Sequence, residues 1–306
     1  MPLQCNRRRP CSLADPTAII AFIQTNALTP MNDLLVKKRV ASFEQLLAAY
    51  AKSGTAIRNA IDGGAGSGST AMIMLRHIAA PGTVHAFEPF PGNHKFFEKL
   101  DRRVVLHKQA LAAEKKTMTF AVSHVVQPDS VWGRKGMAGY SSAGYLTESP
   151  RPNAEVYSVD CTAADDLIPA SQPIDFVKLD LQGGELNALR GMTRILSDVK
   201  FMWIEFSFQS GLLEFLERDF VLFDTEYFFR STPDSLAREH FEISKEGVPL
   251  STGASAWFGF KKLPWQDYQG EFHMFRGKLK LVQTDIACVP KARMAEFTEA
   301  VEHIQQ

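Results

Sequence analysis

Residues 59–70 read Asn-Ala-Ile-Asp-Gly-Gly-Ala-Gly-Ser-Gly-Ser-Thr, and they are the most informative feature of the sequence. A short apolar run ends in Asp62, a glycine-rich turn follows, and a helix is expected to start near Ser69. Glycine tolerates positive φ angles and lets a ligand approach the backbone closely. A helix N-terminus adds N–H groups that have no partner within the helix. The stretch therefore predicts a ligand site at the carboxyl end of a strand.

The chain around this stretch alternates between short β-rich runs and helical stretches. Candidate strands lie at 56–61, 83–87, 104–107, 174–179, 201–206 and 221–223, and candidate helices lie at 69–79, 92–101, 184–197 and 211–218. Such alternation indicates βαβ units and a mostly parallel sheet. The runs at 174–179 and 201–206 are almost wholly apolar, which is typical of central strands covered on both faces.

Two classes of ligand use a crevice of this kind. A dinucleotide requires G-x-G-x-x-G or G-x-G-x-x-A, and residues 66–71 match the second form, although they begin four residues beyond Asp62. The alternative pattern, D-x-G-x-G-x-G, is met by Asp62, Gly64, Gly66 and Gly68. A carboxylate beside the turn repels a pyrophosphate but can hold an ammonium group. These residues favour S-adenosylmethionine, which has an ammonium, a ribose and no phosphate, over NAD.

Two further segments carry a resemblance to a known family. Residues 86–93, AFEPFPGN, and residues 175–191, DFVKLDLQGGELNALRG, resemble the paired signatures of the FkbM-type S-adenosylmethionine-dependent methyltransferases. The resemblance implies an α/β fold of the class I methyltransferase, Rossmann-like type. That fold is a seven-stranded, mostly parallel sheet with helices on both faces and an antiparallel last strand, for which Ala256–Lys262 is the candidate. It also implies O-methylation of a hydroxyl group on a small molecule, a polyketide or a sugar.

The proposed divisions of the chain follow from this core. Residues 1–55 are expected to form an N-terminal helical extension, with helices near 15–26 and 32–52, and residues 56–262 the methyltransferase domain. Residues 263–306 form a C-terminal extension that ends in a helix near 291–304. The early helices are candidates for covering the acceptor or for a homodimer contact. Within the long connection 123–154, residues 139–145 are either a lid over the site or a flexible surface loop.

Each candidate site residue has an expected role. The acid and glycines of residues 62–68 shape the methionine side, and Glu88, at the end of the second predicted strand, accepts hydrogen bonds from the ribose hydroxyls. Gln109 is the candidate partner of the adenine, and Asp180 contacts the cofactor. Methyl transfer from a sulfonium requires an aligned acceptor oxygen and removal of its proton. Asp180 and Glu205 are the catalytic candidates, acting directly or through a divalent cation such as Mg²⁺.

One position departs from the family pattern. The second acid of its D-x-E-G signature is Gln182 here. If that acid is a base or a metal ligand, this protein works differently or is catalytically impaired. If it only bonds its neighbours, an amide can replace it. A cofactor-binding module without full catalysis and an NAD-dependent oxidoreductase therefore stay as the alternatives to a methyltransferase.

The amino-acid composition argues against several classes of binding partner and site. The 34 Lys and Arg residues balance 34 Asp and Glu residues, which argues against a dedicated nucleic-acid binder. No apolar run approaches the roughly 20 residues that span a bilayer, so membrane insertion is not expected. The four cysteines show no C-x-x-C spacing and indicate neither a disulfide framework nor a zinc cluster. We expect a cytoplasmic protein with a small-molecule or glycan acceptor.

Overall fold

The computed structural model describes residues 43–123, 125–129, 133–142, 144–206, 209, 211–224, 261–262 and 284–302. In chain order the strands are β1 (Ala60–Gly63), β2 (Val84–Phe87), β3 (Val104–His107), β4 (Ala110–Leu111), β5 (Lys116–Val122), β6 (Gly144–Leu146), β7 (Glu155–Thr162), β8 (Phe176–Leu179), β9 (Phe201–Phe206), β10 (Phe220–Asp224), β11 (Lys261–Lys262) and β12 (Thr284–Pro290). The α-helices lie at 43–52, Ser69–Leu75, Pro91–His94, Ala164–Leu167, Glu185–Arg190, Thr193–Leu196, Leu212–Glu217 and Met294–Glu302. Helical turns of other types lie at Lys95–Lys99, Gly133–Met137 and Lys291–Arg293.

The main sheet is mixed and has the order β11-β10-β12-β9-β8-β1-β2-β3. Its strands β3, β2, β1, β8 and β9 are parallel neighbours, whereas β12 is antiparallel to both β9 and β10, and β11 is antiparallel to β10. The predicted α/β class and parallel centre are confirmed. The described residues contribute eight strands to this sheet, where seven were predicted, because the two-residue β11 adds to its edge.

Both faces of the sheet are covered, as its sequence pattern requires. All residues of β8 and β9 are buried, and their side chains alternate between two hydrophobic clusters. Val177 and Met202 belong to the cluster that includes the helices Glu185–Arg190 and Leu212–Glu217. Phe176 and Phe201 belong to the cluster on the other face, with residues of the helices 43–52, Ser69–Leu75 and Met294–Glu302. Near-continuous apolar strands are stable only when helices bury both faces.

The predicted position of the antiparallel strand is wrong. Residues 284–290, not Ala256–Lys262, form the strand inserted between β9 and β10. Of the predicted range, only Lys261–Lys262 lies in the described residues, where it pairs with the outer edge of β10. Residues 285–289 are buried between two strands, and a short apolar run does not reveal which neighbours it pairs with. Part of the predicted C-terminal extension thus belongs to the main sheet, while the domain limits stay predictions.

A second, smaller sheet was not predicted. Its order is β4-β7-β5-β6, with β5 antiparallel to β7 and to β6. The strand β6 lies inside the connection 123–154, which was predicted as a loop. Phe120 and Val122 of β5 pack with Phe90 and Val159 in a separate hydrophobic cluster. This sheet therefore forms a wall beside the carboxyl ends of β2 and β3.

The ends of the chain are only partly described. The predicted helix at 32–52 is confirmed over 43–52, and the predicted C-terminal helix is confirmed over Met294–Glu302. The predicted helix at 15–26 lies outside the described residues. Among the helices of the described part, none has the length and apolar character needed to cross a membrane.

Candidate functional site

A cavity of about 510 Å³ opens at the carboxyl ends of the parallel strands. Parallel strands present their carboxyl ends at one edge of a sheet, which is the usual ligand position in open α/β folds. The main sheet, the glycine-rich turn, the small sheet and the segment 140–142 all contribute to the lining. The lining residues used below are Phe43, Gly64, Gly66, Glu88, Ala110, Leu111, Phe120, Tyr140, Ser141, Lys178, Asp180, Gln182, Trp203 and Glu205.

The glycine-rich turn runs very close to the end of β8. Gly64 has a φ of +75°, and a Cβ atom there would lie 2.0 Å from the Asp180 carbonyl oxygen. The backbone N–H groups of Gly64 and Ala65 both donate to the Phe87 carbonyl at 3.1 Å. The turn is thus fixed by backbone contacts to β2 and β8, and it presents Gly64 and Gly66 to the cavity.

The Glu88 carboxylate lines the cavity and already accepts hydrogen bonds from two backbone N–H groups. Its oxygens accept hydrogen bonds from the backbone N–H of Gly66 at 2.7 Å and of Phe90 at 2.8 Å. The residue is only 5% exposed, and this burial raises the pKa of the carboxyl to about 7, although the two N–H donors counteract the shift. A carboxylate offers about four acceptor positions, so lone pairs remain for ligand hydroxyl groups.

Lys178 connects two carboxylates below the cavity. Its ammonium lies 3.3 Å from Asp180 Oδ2 and 3.8 Å from Asp62 Oδ1. Asp62 is fully buried. Burial raises the pKa of Asp62 to about 6, with Lys178 acting in the opposite direction. Sequence reasoning missed Lys178, although a lysine within an apolar strand was a usable signal.

The side chain of Gln182 lies between the two catalytic candidates. Its amide nitrogen donates to Asp180 Oδ1 at 2.9 Å and to Glu205 Oε2 at 2.6 Å. Asp180 follows β8, Glu205 lies in β9 and is 1% exposed, and all three residues line the cavity. The structure therefore brings Asp180 and Glu205 to one place and joins them through the residue that departs from the family pattern.

The segment 138–142 covers one side of the cavity and is held in place. The side chain of Asn93, which is 1% exposed, donates to the Ser141 carbonyl at 2.7 Å and accepts from the Ser141 N–H at 3.0 Å. Tyr140 packs edge-on against Phe96 with 5.8 Å between ring centroids, and Lys95 Nζ donates to the Ala138 carbonyl. Of the two expectations for this region, the contacts favour a cover over the site.

Three of the predicted cofactor contacts do not line the cavity. Asp62 is buried beneath the turn beside Lys178, and Gln109 precedes the lining residues Ala110 and Leu111. Gly68 has a φ of +78° and packs closely against Leu100. A Cβ atom on Gly68 would lie 2.4 Å from Cδ1 of Leu100. Their roles as direct ligand contacts stay predictions, and the structure adds the close packing of Gly68 against Leu100. Within the described ranges, no group of three or more His, Cys, Asp and Glu side chains is arranged to hold a metal ion.

Comparison with known proteins adds a family match. The family model "Methyltransferase FkbM domain" matches residues 62–230, which is more than half of the chain. This range includes the glycine-rich turn, Glu88, the small sheet, Asp180 and Glu205. No curated protein sequence matches the chain.

Solved structures of one enzyme are similar over most of the chain. The plantazolicin methyltransferase BpumL in complex with a triazolic desmethylPZN analog and SAH has 9% identity and a TM-score of 0.35, covering 90% of this chain and 95% of that one. The same enzyme with a monoazolic analog and SAH has 13% identity and a TM-score of 0.32, covering 89% and 88%. At these values the likeness carries no inference about ligand or substrate.

Proposed function

Because the chain belongs to the FkbM methyltransferase domain family, we propose that it is an S-adenosylmethionine-dependent methyltransferase that methylates a hydroxyl group. The observation that carries this proposal is the position of Glu88. Its carboxylate lines the cavity at the end of β2 and is fixed by the N–H of Gly66 from the glycine-rich turn. An acid at the end of the second strand beside such a turn is suited to bind a ribose.

The cavity residues fit the parts of this cofactor. Glu88 would accept hydrogen bonds from the ribose hydroxyls. Ala110, Leu111 and Phe120 provide an apolar wall suited to the adenine, and Gly64 and Gly66 allow close approach to the backbone. When bound, the cofactor supplies an activated methyl group on a positively charged sulfur. We place the ammonium end of the cofactor near the Asp180 carboxylate, which lines the cavity.

Asp180 and Glu205 support the choice of a hydroxyl acceptor. Both line the cavity at the ends of neighbouring strands, and carboxylates accept hydrogen bonds from a hydroxyl and can take its proton. Trp203 and Phe43 line the cavity as well and offer aromatic surface to the acceptor. We propose that a small molecule or a glycan binds here, with one hydroxyl directed to the carboxylates.

Calorimetry with S-adenosylhomocysteine tests this function. We expect wild-type protein to bind it and Glu88→Ala to bind at least about tenfold more weakly, since a hydrogen bond to a charged group contributes about 1.5–3 kcal/mol. Glu114→Ala is the matched control, because Glu114 is 72% exposed and lies outside the cavity lining. Absence of binding by folded wild-type protein, or binding of NAD⁺ in its place, would refute the proposal.

A cofactor-binding module with impaired catalysis is a second candidate, and Gln182 is the observation that favours it. Such a module would bind S-adenosylhomocysteine as tightly as an enzyme does, so binding alone does not separate the two. A screen of hydroxyl compounds and oligosaccharides for products heavier by one CH₂ group, read by mass spectrometry, separates them. Turnover by wild-type protein supports the enzyme, and turnover only after Gln182→Glu supports the module.

A further inference from the structure

The contacts of Gln182 indicate which of its side-chain atoms faces the carboxylates. Asp180 Oδ1 and Glu205 Oε2 lie at 2.9 and 2.6 Å from the same amide atom. Carboxylate oxygens only accept hydrogen bonds, whereas an amide NH₂ group has two N–H donors. The atom between the carboxylates must therefore be nitrogen, with one N–H directed to each.

The backbone of the turn at Gln182 is held by contacts other than these two hydrogen bonds. Gln182 has a φ of +53°, a left-handed conformation that is uncommon for residues other than glycine. The Glu185 carboxylate, which is 1% exposed, accepts hydrogen bonds from the N–H of Leu181 at 2.8 Å and of Gly183 at 3.1 Å. Since both neighbours of Gln182 are hydrogen-bonded to the same carboxylate, the backbone at Gln182 is fixed between the strand ends that carry Asp180 and Glu205.

We propose that Gln182 is a positioning residue whose amide nitrogen occupies the place between Asp180 and Glu205 that a divalent cation would otherwise take. Glu205 is 1% exposed and the Asp180 side chain 25% exposed, and two neighbouring carboxylates repel each other unless a donor or a cation lies between them. Gln182 supplies that donor without adding charge to a cluster that also contains the Lys178 ammonium, 3.3 Å from Asp180 Oδ2. The role of these carboxylates toward a methyl acceptor rests on the proposed function. The replacement of a cation by the Gln182 amide does not depend on it.

Binding of Mn²⁺ alone to the full chain, followed by electron paramagnetic resonance, tests this inference. Gln182→Glu replaces the donor by a third carboxylate, and hard divalent cations favour oxygen ligands of this kind. We expect this variant to bind Mn²⁺ at least about tenfold more tightly than wild type, because it adds a full negative charge to the cluster. Its thermal midpoint should fall below that of wild type without the ion and rise again with it.

Two more variants complete the experiment. Gln127→Glu adds the same charge at an exposed position and should match wild type in Mn²⁺ affinity and in its response to the ion. Gln182→Ala removes the amide without adding charge and should bind Mn²⁺ more tightly than wild type and more weakly than Gln182→Glu. It keeps the test decisive if Gln182→Glu does not fold.

The inference is wrong if wild type binds Mn²⁺ as tightly as the Gln182 variants, because the cation would then displace the amide. It is also wrong if folded variants bind no better than wild type. Calorimetry with S-adenosylhomocysteine on the same preparations tests the proposed function separately. Failure to bind S-adenosylhomocysteine counts against the methyltransferase proposal, whereas the Mn²⁺ affinities alone decide the inference about Gln182.

Discussion

The two ends of the cavity are built in different ways. At the glycine-rich end, backbone groups fix the site: Gly64 packs against the Asp180 carbonyl, and the Gly66 N–H holds Glu88. At the other end, side chains from β8, β9 and the turn that follows β8 are tied together through Lys178 and Gln182. The first end depends on close approach of backbones, and the second depends on a balance of buried charge.

This difference predicts how each end responds to substitution. A backbone contact offers no alternative rotamer, so an added methyl group must move the chain. A charge cluster tolerates changes in shape but not the loss of one partner, because an uncompensated buried charge is costly. The variants below test that contrast.

Gly64→Ala is expected to have the largest effect. The new Cβ would meet the Asp180 carbonyl at 2.0 Å, and φ is +75°, so we expect a loss of about 5 kcal/mol in the free energy of unfolding. Gly54→Ala is the control: its φ is +81° but nothing lies within 4 Å of the added Cβ, and it should cost about 1–2 kcal/mol. Urea denaturation measures both, and equal losses would show that the contact with β8 is unimportant.

Lys178→Met tests the charge cluster. Removing the ammonium leaves Asp62 buried without its ion-pair partner, and breaking such a pair costs about 3–5 kcal/mol at pH 8. The folded pKa of Asp62 would rise further above its unfolded value. The loss should therefore shrink as the pH falls toward about 6 and then level off, because Asp62 becomes protonated in the folded state of both proteins. Lys116→Met is the control: Lys116 and its partner Glu114 have side chains that are 40% and 72% exposed, so the loss should be less than about 1 kcal/mol. A loss for Lys178→Met that does not change with pH would contradict the role of the ion pair with Asp62.

Asn93→Ala tests the segment that covers the cavity. It removes both hydrogen bonds to Ser141, and we expect a cost of about 1–2 kcal/mol. Hydrogen exchange at residues 139–142 should become faster, while exchange in β1 and β8 should not change, because those strands do not depend on Asn93. Unchanged exchange at 139–142 would show that other contacts hold the segment.

Glu88→Gln tests the raised pKa at the glycine-rich end. The folded pKa of about 7 lies above the ordinary value of 4.5, so the native state binds a proton more tightly than the unfolded state. Relative to the variant, wild type should lose stability as the pH rises from about 4.5 to about 7 and then level off. The slope is on the order of 1 kcal/mol per pH unit. The histidines contribute equally to the pH dependence of both proteins, so their contribution cancels in the difference between the two free energies of unfolding. If that difference is constant from pH 5 to 8, the pKa of Glu88 is not raised.

Much of the site at the glycine-rich end could be predicted from local sequence. The turn at 62–68 and the acid at 88 follow their strands directly, and parallel strands bring such residues to one edge. Gly68 is the exception, because its closeness to Leu100 depends on how the segment 95–100 packs. The small sheet could not be predicted, since β5 and β7 are separated by a long connection and their pairing is non-local.

Local periodicity and short motifs were sufficient to predict the α/β class, the family, the parallel centre of the sheet and the strand ends that line the cavity. Three other features emerge only in the folded chain: β12 enters the main sheet between β9 and β10, the segment 138–142 is hydrogen-bonded to Asn93, and Gln182 joins Asp180 to Glu205. Each of these joins groups distant in sequence, whose geometry is set by packing and by the need to satisfy buried polar groups.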